Sequence, residues 1–597
     1  MNAITIVIGS ICILMIAYRL YCTFMAVKVL KLNDSVPTPA HALQDGKDYV
    51  PTNKWVTFGH HFAAIAAAGP LVGPILAAQF GYLPGLLWLL IGAVIGGAVH
   101  DAVVLFASMR KQGKSLSEVA KEELGPVAGF CTGLAMLFII TITMAGLSMV
   151  VLHALERNPW GTFAVGITIP IAMGVGLFYK KTGNLKLAST VGFMLIMIGV
   201  FAGPSIQNTV VGEWLTFEYE TLAVILPVYA FFAAALPVWL LLAPRDYLSS
   251  FMKVGVFIAL IVGVFIINPT IQFPALTQFI HGGGPIVAGP VWPFISITIA
   301  CGAISGFHAF IGSGTTPKML DRWSDIKIVG MGAMLVECVV GVMALVAATA
   351  LHPSDYFAIN SKPEVFQTLG MTVVDLPQLS QAIGMDLEGR TGGAVTLAVG
   401  MTYIFTKIPW FSTLAPYFYQ FVIMFEAVFI LTAIDAGTRV SRYLIQDFFG
   451  QFYKPLKRTD WIPGAVFASA LACFFWGYLL VSGDIGSVWA LFGVSNQLMA
   501  SIGLIVGATV ILNIADKRRY MFTCLVPLSY LYVTVNVAGY WMIKNVYLNP
   551  NAAGFNIVNG VLSMIMLALG IIILVAAMNK WVSTLRSPQA RMKAANA

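Results

Sequence analysis

Nine ionisable side chains fall inside long apolar runs of this chain: His60, His61, His100, Asp101, His308, Glu337, Lys407, Glu426 and Asp435. A charge held away from water is costly, so such residues mark ion paths, proton relays or paired structural sites. A histidine beside a carboxylate titrates near neutral pH and suits proton relay, and His100-Asp101 is such a pair. At a helical rise of about 1.5 Å per residue, His60 lies about 9 Å past Lys54 and Asp101 about 13 Å before Arg110. His308 precedes Lys318 by a similar interval. His60, His61, His100, Asp101 and His308 are therefore expected to gather in one half of a membrane as a proton-coupling group or gate. The plainer alternative for each is a histidine satisfied by hydrogen bonds between helices. A metal is a further alternative, since His, His and Asp are good ligands. Adjacent His60 and His61, however, project about 100° apart on a helix and do not easily share one ion. Glu426 has no cation near it in sequence and is a candidate proton carrier. Asp435 and Arg439 are one helical turn apart and are expected to pair locally.

A second cluster is SGFHAFIGSGTTPKML, residues 305–320, where Ser305, Ser313, Thr315 and Thr316 offer oxygens for a sodium ion. Its GSGTT lacks the phosphate-loop pattern. Satisfaction of these hydroxyls within helix packing is the alternative. Phe492–Gln497 places Ser495, Asn496 and Gln497 mid-run, as glue between helices or as a lining. Gly92-xxx-Gly96 reads as helix packing.

The elements that must position these groups are membrane helices. The chain has 597 residues, 58% hydrophobic and only 10% charged, too few charges to cover a soluble surface of that size. Spans of about 20 mostly apolar residues are expected at 4–29, 57–80, 83–107, 126–152, 163–179, 187–203, 221–243, 250–268, 287–311, 330–352, 416–436, 464–482, 486–514, 521–544 and 555–580. A further run, 393–409, is expected to be re-entrant or part of a bent element. With the N-terminus outside, 28 of the 34 Lys and Arg fall in inside loops and four outside, with Arg19 and Lys407 inside apolar runs. That asymmetry supports an outside N-terminus and a cytoplasmic C-terminus. Fifteen crossings satisfy the parity, and 17 is the upper expectation. The seven cysteines all lie in apolar stretches without CxxC, as small hydrophobes. No basic stripe suits nucleic acid, no nucleotide-binding motif suits an ATP-driven pump, and no hydrolase or metalloprotease pattern suggests an enzyme.

Two spans carry break signals. In 57–80, Gly69-Pro70 and Gly73-Pro74 sit mid-span, and in 221–243 Pro227 and Pro237 flank the centre. Proline removes a helical hydrogen bond and glycine permits unwinding. The two spans run in opposite directions, as expected of the first helices of two inverted five-helix repeats, 57–203 and 221–436, the second carrying an outside loop at 353–392. The remaining divisions are 1–56, a first helix and cytoplasmic loop; 464–580, a four-helix segment; and 581–597, a cytoplasmic tail.

GHHFAAIAAAGPLVGPILAAQFGYLPG (59–85), HDAVVLFASMRKQGKSLSEVA (100–120), SGFHAFIGSGTTPKML (305–320), IDAGTRVSRYLIQD (434–447) and LFGVSNQLMASIGL (491–504) together resemble the carbon starvation A (CstA) family of bacterial inner-membrane transporters. The resemblance runs through most of the chain. It implies uptake of peptides or pyruvate under nutrient limitation, and an all-α, LeuT-like five-plus-five inverted repeat core with extra helices.

The expectation is thus a secondary transporter in the lipid bilayer, importing a small carboxylate or peptide with H+ or Na+. Breaks at Ala68–Pro74 and Val228–Ala235 would form the midplane site, with Ala68, Gly69, Pro70 and Gly73 offering half-helix amides to a carboxylate and Tyr229 a hydroxyl. No cofactor is expected. The rival from another class is a redox protein holding haem or a metal through intramembrane histidines, and a passive channel is the second.

Overall fold

The computed structural model describes residues 1–45, 49–235, 242–450, 453–458, 461–482, 485–549 and 554–586. Among them no strand occurs, only the isolated bridges Asn2–Thr270 and Thr52–Leu320. The helices that matter here are, in chain order, α1 (Ala3–Val29), α2 (Lys54–Ile65), α3 (Gly69–Ala77), α4 (Tyr82–Arg110), α5 (Leu116–Leu124), α6 (Pro126–Leu155), α7 (Pro159–Thr182), α8 (Leu185–Gln207), α9 (Tyr219–Ala235) and α10 (Leu242–Ile267). They continue as α11 (Val291–Thr298), α12 (Phe307–Gly312), α13 (Trp323–Thr349), α14 (Pro353–Asn360), α15 (Ala394–Thr406), α16 (Ala415–Gly450), α17 (Ile462–Ser482), α18 (Ile485–Ile514), α19 (Phe522–Met542) and α20 (Gly554–Arg586).

Eleven helices among the described residues are long and apolar enough to cross a membrane, or 12 with the bent pair α2 and α3 counted as one span. Four of the fifteen expected spans are therefore not among these eleven. Span 57–80 is that pair, bent by 45°. Span 221–243 is α9, and the expected break over Val228–Ala235 is absent. Pro227 lies inside a continuous helix, where one lost backbone bond is tolerated because neighbouring helices re-satisfy it. Pro237 falls outside the described residues. Span 250–268 is part of α10. Span 287–311 is not one helix: α11 ends at Thr298, residues 299–306 are irregular, and α12 resumes at Phe307. The extra run 393–409 is α15, whose 13 residues rise about 20 Å and fall short of a bilayer core of about 30 Å.

Burial separates an inner set from an outer ring. The best window of α18 is 89% buried, whereas those of α1 and α20 are 33% buried. The inner set of α4, α6, α13, α16 and α18 is mostly enclosed by other helices, each best window being 78–89% buried, and satisfies most of its polar groups there. The outer helices present Ile, Leu, Val and Phe to lipid.

The interrupted helices lie antiparallel. Beyond the C-terminal end of α3, Gln79 donates to the Val287 carbonyl, 2.8 Å away, ahead of α11. Before α2, Val50 and Thr52 bond the chain at Lys318 and Met319, just after α12. Over the far end of α3, Tyr356 of α14 donates to the Ile75 and Leu76 carbonyls at 2.7 and 3.1 Å. The expected outside segment 353–392 is thereby fixed to α3. The Asp355 carboxylate orders it internally, accepting from the amides of Val374 and Asp375.

Candidate functional site

The break between α2 and α3 begins at Ala66, whose ψ of 51° leaves the helix. Pro70 then opens α3 within its first turn, a position where its missing N–H costs nothing. Ala68, Gly69, Pro70 and Gly73 are all buried, facing the end of α11 and the irregular segment after it. A Cβ at Gly69 would lie 2.4 Å from the Cys301 Cβ, and one at Gly73 would lie 2.6 Å from the Thr298 carbonyl oxygen. Glycine is thus required for the two broken helices to touch. The opposing segment turns through Gly302, at φ +86°, a conformation that side chains disfavour.

Polar side chains from three helices hold that irregular segment. Trp88 of α4 donates to the Ile299 carbonyl at 2.9 Å. Asn496 of α18 accepts from the Phe307 amide at 2.7 Å, and Gln497 donates to the Ser296 and Ile304 carbonyls. Glu337 of α13 accepts from the Gly302 amide at 3.1 Å. In a membrane the unwound backbone groups need such partners. The Asn496-Gln497 pair is therefore glue at the break.

Behind the break runs a buried chain of alternating imidazoles and carboxylates. Asp101 meets His100 Nδ1 through one oxygen and His308 Nδ1 through the other, each at 2.8 Å. The far side of His308 faces Glu337, Nε2 to Oε2 3.0 Å, close but off the hydrogen-bonding axis. All four side chains are at most 1% exposed. α4 supplies His100 and Asp101 just past its π-helical turn Gly92–Gly97. π turns recur at functional sites because they re-aim side chains. The chain connects α4, α12, α13 and, through Glu337 and Gly302, the backbone of the break.

The other expected residues are placed as follows. His61 is buried against Thr316, Nδ1 to Oγ1 2.8 Å, while the exposed His60 stands 3.4 Å from Thr315. The four expected sodium ligands are each engaged with different partners. Ser305 bonds Cys301 and Asn496, Ser313 bonds the Leu116 amide and the Ala309 carbonyl, and the two threonines face the histidines. Glu426 of α16 is fully buried, and neither oxygen has a hydrogen-bond partner among the described residues. Lys407 lies over the Tyr403 ring at 4.3 Å.

Tyr229 belongs to another cluster. Its hydroxyl donates to Asp435 at 3.1 Å, and Arg245 of α10 bonds both of them. Arg245, expected in an inside loop, is 1% exposed in an ion pair with Asp435. The local Asp435–Arg439 pairing is thereby corrected: Asp435 pairs across helices with Arg245, while Arg439 and Arg442 donate to the Ala233 and Ala234 carbonyls of α9. Glu337 and Arg245 were the residues whose roles sequence reasoning missed. Glu337 stood out as ionisable within an apolar run, but nothing local named its partner.

Two interrupted helices packed antiparallel, with titratable groups at the crossing and a ring of apolar helices outside, define an integral membrane transporter. The carbon starvation protein CstA family model matches residues 2–538, and the chain belongs to that family. It is 81% identical over 594 residues to the peptide transporter CstA of Bacillus subtilis, covering 100% of this chain and 99% of that one. It is 44% identical to the peptide transporter CstA of Escherichia coli, over 90% of this chain and 81% of the relative. To the pyruvate/proton symporter BtsT of the same organism it is 42% identical, over 93% and 83%. Two relatives with different named cargo are thus nearly equidistant from this chain.

Proposed function

We propose that this chain is a secondary transporter that imports a small carboxylate-bearing carbon source, pyruvate or a short peptide, with protons. The relatives' names support the cargo classes, and one of them names a proton as the coupling ion. The observation that carries the proton reading is the buried His100–Asp101–His308–Glu337 chain, in which each carboxylate faces an imidazole and the last bonds the broken backbone. A proton arriving there changes the charge that holds Gly302, and so couples to the break. The prior engagement of Ser305, Ser313, Thr315 and Thr316 favours a proton over sodium.

Parting of α3 from residues 298–303 would open a space between half-helix amides at Ala68–Pro70 and the irregular segment. A substrate carboxylate would lie there, stabilised by the N-terminal end of α3. Tyr229 is withdrawn from that role, and the inverted repeat is better begun near residue 287 than at 221. Antiparallel broken pairs α2/α3 and α11/α12, each followed by a long helix with a π turn, support that division. The N-terminus is proposed to face outside.

Uptake of labelled pyruvate and a labelled dipeptide into proteoliposomes tests the reading, with proton and sodium gradients imposed separately. Accumulation of one substrate above equilibrium under an inward proton gradient is expected. Accumulation under sodium alone would overturn the coupling assignment, and none under either would overturn the transport reading.

A further inference from the structure

A groove of about 660 Å³ opens on the lipid-facing side between α1, α2 and α13. Its length is apolar: Leu14 and Met15 of α1, Phe58 of α2, and Leu335, Val336 and Val339 of α13. One part of its wall is cationic. Arg19 of α1 and Lys327 of α13 both line it. Lys327 donates to Thr23 at 2.8 Å and lies over the Tyr18 ring at 4.6 Å, which fixes the ammonium on the α1 side. Arg19 is exposed, and among the described residues no acceptor bonds its guanidinium. It sits ten residues before Val29, the end of α1, about 15 Å along the helix. Nothing in the transport chemistry above uses these two cations. A guanidinium facing hydrocarbon at that depth is costly unless an anion meets it. Trp55, 60% exposed, lines the same groove, as interfacial aromatic anchors do.

We propose that this groove binds one anionic phospholipid, its phosphate held by Arg19 and Lys327 and one acyl chain laid along α1 and α13. Two cations beside an apolar trough complement a lipid that carries both a phosphate and a chain. Basic pockets between membrane helices recognise anionic head groups in this way. The lipid would bridge the outer helix α1, the half-helix α2 that leads to the break, and α13, which carries Glu337. Occupancy of the groove therefore bears on the spacing of the elements that must move.

The test is native mass spectrometry of the full chain purified from mixed micelles of equal phosphatidylglycerol and phosphatidylcholine. One phosphatidylglycerol is expected to remain bound, at least tenfold over phosphatidylcholine, and R19Q/K327Q is expected to abolish that preference. V336W keeps both charges and fills the trough, and is expected to reduce retained lipid as well; it carries the test if the double variant fails to fold. R586Q, at the far end of α20, is expected to retain the preference. Equal retention of the two lipids by the parent chain would overturn the proposal, as would undiminished preference in a folded R19Q/K327Q or, where that variant does not fold, undiminished lipid retention in V336W. Release of the lipid by inorganic phosphate alone would equally overturn it, since a site for free anion needs no acyl chain.

Discussion

Asp101 accepts from two histidines on different helices, so each of its oxygens is committed. Breaking such a buried arrangement leaves uncompensated charge. D101A is expected to cost about 3–5 kcal/mol, read as a lower unfolding temperature in detergent. D101N keeps the shape and is expected to fold, to exchange substrate at equilibrium, and to lose accumulation driven by the proton gradient. Glu426 presents the opposite case, a buried carboxyl with no hydrogen bond among the described residues. E426L is expected to raise stability by about 1–3 kcal/mol, since an unsatisfied polar group leaves the core. If Glu426 carries protons, E426Q loses gradient-driven uptake while folding normally. His100, Asp101 and His308 were legible because titratable groups in apolar runs are conspicuous. Their order was not, because Asp101 and His308 are 207 positions apart and only packing brings them together. Tyr229 was misplaced for a related reason. The prolines around it suggested a break, while the partner that claims it, Arg245, looked like an ordinary loop cation.

Helix interruptions follow from two different causes. The α2/α3 break is written in GPLVGP, whose prolines and glycines disfavour continuous helix locally. The 299–306 break is made largely by tertiary partners, Trp88, Glu337, Asn496 and Gln497, so an apolar run of that composition read as one span. Close approach at Gly73 gives a direct check. G73A is expected to cost about 1–3 kcal/mol through overpacking against Thr298. G59A, which would meet nothing within 4 Å, should change stability by no more than about 1 kcal/mol in either direction. Thermal unfolding of the two variants compares them. On α5, between α4 and α6, Lys114 and Lys111 hold the Glu122 carboxyl below its ordinary value. A depressed carboxylate stabilises above the ordinary range and loses that contribution as pH falls through its folded value. E122Q should thus be less stable than the parent at neutral pH, with the difference vanishing on acidification.

The whole molecule was the most legible scale. Composition alone required a polytopic membrane protein, and the charge asymmetry predicts which loops face which side. A membrane-impermeant thiol reagent is expected to label K362C on intact cells and to label R458C only after permeabilisation. The reverse pattern would invert the topology. What composition could not show was that the segment after α13 is an ordered cap, with Tyr356 bonded to the last carbonyls of α3. That bond ties the cap directly to the half-helix α3. An antibody fragment that immobilises residues 353–383 is expected to hold the half-helix bonded to them, and so to slow uptake without touching cargo or proton. A fluorophore on the same cap would report each cycle of a site it never meets.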